Sequence, residues 1–214
     1  MKRAIIPTVF MLAFLLMLTL GLSTSIISLP ITPTNSSIEA IFSNASLGDT
    51  IYRFDTNTNR YNSATYMNFP EVGDIWVADP ASFTTIDASL GYFYIPASGT
   101  SYNVNILGEV NTSNASIEIL TAGQGESVGM NLVAWNSPIR QCNFSELVPN
   151  ASVGDTIYRF NTGTNRYNSV TYTHFTGIGN IWVADPANFE CFDPGVGYIF
   201  TPVAAGYVWE YERI

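Results

Sequence analysis

At 214 residues, 47% hydrophobic and 14% aromatic with only 12% charged, the chain has ample material for a packed core and is not a disordered sequence. Its formal net charge is −9; without Lys2 and Arg3 the balance becomes 6 − 17 = −11, and no other lysine occurs. That balance argues against nucleic acid and anionic membrane surfaces as partners, because phosphate neutralisation needs clustered cations.

Met1-Lys2-Arg3 followed by an apolar run over residues 5–22 has the form of a secretory signal, with Ser23 and Ser25 at −3 and −1 of a cleavage before Ile26. The run approaches the length that spans a bilayer, so an uncleaved anchor is the rival reading; either way the rest of the chain is exported. A first strand is expected at Ile26. Ser36-Ser37-Ile38-Glu39 then places a capping residue three before a glutamate, and Ile38, Ile41 and Phe42 fall at i, i+3 and i+4, which predicts a short helix with one buried stripe.

Residues 50–55 and 60–69 read as a hairpin around Thr56-Asn57-Thr58-Asn59. Strands over 74–78, closed by Asp79-Pro80, and over 91–95 and 102–107 complete the set. A segment rich in Asn and Gly follows, with one further strand expected at 117–121.

The pattern then begins again. Asn-Ala-Ser-Leu-Gly-Asp-Thr-Ile-Tyr-Arg-Phe at residues 44–54 returns at residues 150–160 with one change, a shift of 150 − 44 = 106. Over residues 44–95 roughly 32 of 52 positions are identical, far more than two unrelated supersecondary units would share. The second copy repeats the strand at Leu132, the helix start at Asn143-Phe144-Ser145-Glu146 with its stripe of Phe144, Leu147 and Val148, and strands over 156–161, 166–175, 180–184, 197–201 and 207–211. The chain therefore divides into a signal or anchor (1–25), a first β domain (26–109), a linker with an extra strand (110–127) and a second β domain (128–214). The expected fold is mainly β: two tandem homologous antiparallel barrels or sandwiches, each with one short helix, after an N-terminal signal or anchor helix.

The order Ile-Ile-Ser-Leu-Pro-Ile (residues 26–31) or Asn-Leu-Val-Ala-Trp (131–135), the helix, Ile-Tyr-Arg-Phe, and Pro-Gly-Val-Gly-Tyr-Ile (194–199) resembles the "GWNLISLPL … LxPGxGYWI" repeat of archaeal and bacterial extracellular and S-layer-associated proteins. The first copy departs from it with Ala88-Ser89-Leu90-Gly91. The resemblance covers nearly all of the chain after the signal. It implies a secreted or cell-surface β module and brings no catalytic residues.

Six Asn-x-Ser/Thr sequons, at Asn35, Asn44, Asn111, Asn114, Asn143 and Asn150, are candidate glycosylation sites; Asn44 and Asn150 are kept in both copies. Cys142 and Cys191 both lie in the second copy, opposite Ser36 and Thr85 of the first, and this paired gain in an exported chain suggests a disulfide. Free thiols or a bridge between two chains are the alternatives.

Trp76 and Trp182, with Trp135 and Trp209, suit either a sugar-stacking platform or the filling of two small cores. Asp55-Thr56-Asn57-Thr58-Asn59 imitates the start of a calcium loop, but position 66 is Tyr66 where the bidentate glutamate belongs, and a hairpin turn is expected instead. The recurring acids Asp49/Asp155, Asp79/Asp185 and Asp87/Asp193 sit beside Gly or Pro or within turns, which favours turn-making over a pair of hydrolytic carboxylates. His174 is the only histidine and has no counterpart in the first copy.

These residues point to no catalytic site, metal site or cofactor. The expected function is that of a non-catalytic, exported cell-surface structural or adhesion protein. A carbohydrate-binding surface module is the alternative, and a filament subunit that lends its N-terminal strand to a neighbour is a third. Surface glycans, other surface proteins or the chain itself are the expected partners, with membrane contact only through the N-terminal segment. The intact mass of the native protein checks the export reading: it should lack residues 1–25 and carry glycan increments. A mass equal to the bare 23.5 kDa polypeptide would contradict both.

Overall fold

A computed structural model describes residues 25–55, 58, 60–97, 104, 106–110, 115–118, 131–135, 137–203 and 208–211, with 115–118 and 208–211 described by their backbone. The apolar N-terminal run and the sequons at Asn111 and Asn114 lie outside the described residues.

In chain order the elements are β1 (Ser25–Ile27), β2 (Thr32–Pro33), α1 (Ile38–Ile41), β3 (Thr50–Asp55), β4 (Arg60–Phe69), β5 (Gly73–Asp79), β6 (Tyr92–Ile95), β7 (Gly108–Glu109) and β8 (Ala115–Glu118). They continue with β9 (Asn131–Ala134), α2 (Phe144–Leu147), β10 (Thr156–Asn161), β11 (Arg166–Phe175), β12 (Gly179–Asp185), β13 (Gly197–Thr201) and β14 (Val208–Tyr211). The protein is mainly β, and every strand pairing among the described residues is antiparallel.

Each copy contributes one five-stranded sheet, ordered β1-β6-β3-β4-β5 in the first and β9-β13-β10-β11-β12 in the second. Two short ladders, β2–β7 and β8–β14, complete the pairing. The extra strand expected between the copies is β8, and it pairs with the C-terminal strand β14. In the first copy the last ladder strand is Gly108–Glu109, just after the stretch expected from its sequence, of which residues 102, 103 and 105 lie outside the described ones.

Both helices are a single turn placed by their caps. Asn143 Oδ1 accepts from the backbone N–H groups of Ser145 and Glu146 at 3.1 and 3.4 Å. In the first copy the cap is Ser37, whose Oγ accepts from Ala40 N at 3.2 Å, rather than Ser36. With Ser37 as the cap, Glu39 stands one position too early to close a capping box. The apolar stripes behave as expected: Ile38, Ile41 and Phe42, and Phe144, Leu147 and Val148, are all buried.

Each five-stranded sheet has two covered faces near its centre. On one face α1 and the loops around Leu29, Phe83 and Ile86 cover Ile51, Ala64, Tyr92 and Tyr94; α2, Trp135, Phe189 and Phe192 do the same over Ile157, Val170, Tyr198 and Phe200. On the other face the two copies cover each other, with Ile26 and Phe93 of the first against Phe160 and Ile199 of the second, ringed by Tyr52, Tyr61, Leu132, Tyr158 and Tyr167. This double burial explains why Tyr92, Phe93 and Tyr94 are consecutive and all buried, where a strand with one wet face would alternate. Each apolar side chain taken out of water in this way contributes about 1.5–3 kcal/mol.

The contact between the copies obeys the same 106-residue relation as the sequence. Ile27 bridges Val196 and Leu90 bridges Val133, and the two pairs interchange when the copies are exchanged. The molecule thus carries an internal pseudo-twofold axis, an isologous interface within one chain. One set of bonds breaks the symmetry: Ser28 N donates to Gly195 O at 3.1 Å, and Ser28 Oγ donates to Val196 O at 2.8 Å. The aligned Ala134 has no hydroxyl to return that side-chain bond.

Two aligned glycines let the sheets approach. A Cβ on Gly197 would stand 2.5 Å from Ile26 Cγ2 and 2.9 Å from the Ile27 carbonyl; one on Gly91 would stand 2.9 Å from Leu132 Cγ and 3.1 Å from the Val133 carbonyl. The side chains can move, but the carbonyls belong to strands already paired elsewhere. Gly197→Ala is therefore expected to cost about 1–3 kcal/mol by overpacking. Urea unfolding checks this, and an unchanged midpoint for Gly197→Ala and Gly91→Ala alike would contradict the packing described.

Candidate functional site

Most of the polar residues singled out by the sequence have structural work within the fold. Asp49 is fully buried, and its carboxylate accepts from Ser46 N and Ala97 N, both at 2.8 Å, and from the Tyr94 hydroxyl at 2.5 Å. Asp155 accepts from Ser152 N and Val203 N at 2.8 Å in the same way. These carboxylates tie the turn after each helix to the far end of the neighbouring strand.

Asp193 binds Arg159, and Arg140 Nε at 2.8 Å, while Asp87 accepts from Ser89 N and Oγ at 2.8 and 2.6 Å. Arg53 and Arg159 lie over the rings of Phe83 and Phe189 at 5.0 and 4.8 Å, so their charge rests on an aromatic face. The hydroxyls of Tyr92 and Tyr198 accept from the backbone N–H of Asp87 and Asp193 at 2.7 and 2.6 Å. Burial pushes both phenols up to about 12.

His174 Nδ1 is 2.7 Å from Asn180 Oδ1 on the exposed part of β11. Among the described residues no three of His, Cys, Asp and Glu are grouped to hold a metal ion. The calcium-like stretch falls partly outside the described residues; in the second copy Asn161 Oδ1 accepts from Gly163 N and Thr164 N at 3.0 and 3.2 Å, an Asx turn that closes the hairpin.

Trp76 packs against Phe42 and Tyr66, and Trp182 against Phe144 and Tyr172, at centroid distances of 5.2–6.1 Å. Both indole Nε1 atoms are buried without a hydrogen-bond partner. Trp135 is buried, and its indole donates to the Ile139 carbonyl at 2.8 Å. The side chain of Trp209 lies outside the description. Asn35, Asn44, Asn143 and Asn150 are all exposed, and Asn44 and Asn150 occupy the turn that follows each helix. Cys142 and Cys191 form a disulfide.

A different set of residues gathers at the end of each sheet, where the two neighbours of one strand stop at different places. β10 pairs with β11 as far as Asn161↔Arg166, but β12 stops at Asp185↔Ser169 and Pro186 carries the chain away. Arg166, Tyr167 and Asn168 consequently have a strand on one side only. The other side opens as a notch of about 510 Å³ lined by Thr164, Arg166, Tyr167, Asn168, Asp185 and Pro186.

The first copy ends its ladders in the same register, at Asp55↔Arg60 and Ser63↔Asp79, and places Thr58, Arg60, Tyr61, Asn62, Asp79 and Pro80 at the six aligned positions. All six residue types are unchanged, although the adjoining positions differ at Asn57/Gly163 and Ala64/Val170.

Three polar side chains of each notch make no hydrogen bond or ion pair with a described residue. Asn168 and Asn62 are each only 6% exposed, yet neither makes a side-chain hydrogen bond to a described residue. The side chains of Arg166 and Asp185, and of Arg60 and Asp79, are exposed and likewise make no ion pair or hydrogen bond with a described residue. Tyr61 and Tyr167 connect the notches to the interface between the copies. Burial pushes Tyr61 up to about 12 and raises Tyr167 further, the nearby Tyr61 adding to the effect. Sequence reading passed over this cluster because it took Asp79 and Asp185 singly, as turn acids; the retained Thr-x-Arg-Tyr-Asn and Asp-Pro phrases were the available signal.

The disulfide gives a direct test of how much the second copy relies on its staple. It closes a separation of 49 residues and ties the segment before α2 to the loop that the first copy joins by the Ser37↔Thr85 bridge alone. Replacing the pair by the first copy's residues, Cys142→Ser with Cys191→Thr, is expected to cost up to about 4 kcal/mol on the chain-entropy account, read by urea unfolding. No loss would mean that the strand pairing already holds the loop. Comparison with protein-family profiles, with curated proteins and with solved structures finds no match to this chain.

Proposed function

We propose that the chain is an exported, non-catalytic structural or adhesion component of a cell surface, built from a duplicated β module. The disulfide between Cys142 and Cys191 carries this reading, because such bonds persist in oxidising compartments and are rare in reducing ones. The exposed sequons at Asn44 and Asn150, the lysine-free acidic character after residue 3 and the resemblance to extracellular repeats support the same compartment.

A structural role agrees with where the polar residues are spent: the repeated buried acids hold turns, and the repeated aromatic residues fill cores. We read the two sheets as the layers of one sandwich, so that duplication supplies within one chain the partner layer that a single copy lacks. Such a unit is suited to bearing load or presenting loops outside the cell.

Surface proteolysis of intact cells of the native host tests the proposal. The protein is expected to be cleaved from outside and to take up no thiol label before reduction. A protein protected in intact cells, with two reactive thiols, would overturn it.

A further inference from the structure

From the notches we infer a site for a neutral sugar, one in each copy, so that a chain carries two. The inference goes beyond the structural role proposed above and does not depend on it.

The buried asparagines carry the argument furthest. Both side chains are nine-tenths buried and make no hydrogen bond to a described residue, and Asn168 lines the notch. Asn62 and Asn168 differ in this from the buried Asp49 and Asp155, whose carboxylates the fold itself supplies with donors. The apolar replacement was open to either copy, as Ala64 and Val170 show two residues further along the same strands.

The neighbouring groups select the ligand's chemistry. Arg166 offers only donors, Asp185 only acceptors, and the Asn168 amide offers both. A phosphate or carboxylate drawn to Arg166 would also meet the Asp185 carboxylate, and a cation drawn to Asp185 would meet the guanidinium, so the charges of the notch favour an uncharged molecule. Adjacent hydroxyls, each both donor and acceptor, suit such a mixed set. Tyr167 and Pro186 add the apolar surface on which the C–H face of a pyranose rests. A volume of about 510 Å³ lies within the range of small-molecule sites and admits one or two sugar rings. With a second notch across the pseudo-twofold axis, a polymeric glycan would gain from engaging both.

Saturation-transfer NMR on the purified exported protein with maltose, cellobiose, lactose and α-mannobiose, and with glucuronate as the charged control, tests the assignment. At least one neutral disaccharide is expected to bind, with two sites by calorimetry. Asn168→Ala or Asn62→Ala should reduce the count to one, and the double variant should abolish binding while keeping a cooperative melting transition. Asp79→Asn with Asp185→Asn, whose exposed side chains make no hydrogen bond or ion pair with a described residue, should weaken binding at least tenfold and guards against an unfolded asparagine variant. Binding of none of the neutral sugars, binding of glucuronate alone, or binding that survives both double variants would overturn the inference. Export and surface exposure, read by proteolysis of cells, would stand in any of these cases.

Discussion

Ile26 and Phe93 of one copy close over Ile199 and Phe160 of the other, with four tyrosines around them, and the rest of the molecule is arranged to make that contact. Each five-stranded sheet has apolar side chains on both faces, and one helical turn with its loops can cover only one of them. A single copy would leave the face bearing Tyr52, Tyr61 and Phe93 in water. The duplication resolves this by presenting two such faces to each other, at a separation that Gly91 and Gly197 permit because a Cβ at either position would strike the opposite backbone.

Symmetry at the interface and asymmetry elsewhere follow from the same constraint. Residues that pair across the axis, Ile27 with Val196 and Leu90 with Val133, occupy two aligned positions that must fit each other in both directions, and both positions stay apolar in both copies. Positions away from the axis diverge: one copy ties its helix approach with the Ser37↔Thr85 bridge, the other with the Gln141↔Phe192 bridge and a disulfide. Tyr94, which donates to Asp49, becomes Phe200, while Asp155 keeps its two backbone donors. Ser28 adds hydrogen bonds to Gly195 and Val196 in one direction only, so the two halves are welded unequally.

Satisfied polar groups separate the scaffold from the notches. Asp49, Asp155, Asp193 and the hydroxyls of Tyr92 and Tyr198 are enclosed in bonds that the fold itself supplies. In a medium of low polarity such bonds fix loops firmly, because breaking one exposes the full cost of an unpaired group. Asn62 and Asn168, at 6% exposure, have no such bonds, and they stand where β4 and β11 run past the ends of β5 and β12. The end of the ladder therefore leaves both a free strand edge and a set of donors and acceptors facing the same opening.

Period and repetition made much of this legible in the amino-acid order. The 106-residue shift declared two copies, alternation and turn residues placed the hairpin and third strand of each within a residue or two, and the paired gain of Cys142 and Cys191 announced their bond. Those features are local, or are comparisons of the chain with itself, and need no knowledge of what lies across a sheet. The partner of each inner face could not be read in that way, since Tyr52 and Phe93 look the same whether a helix, solvent or a second sheet covers them. Nor could the notch, whose residues are some twenty apart in sequence and meet only because β12 stops at Asp185 while β10 runs on to Asn161. Strand lengths across a sheet are set by long-range register, and that belongs to the folded chain alone.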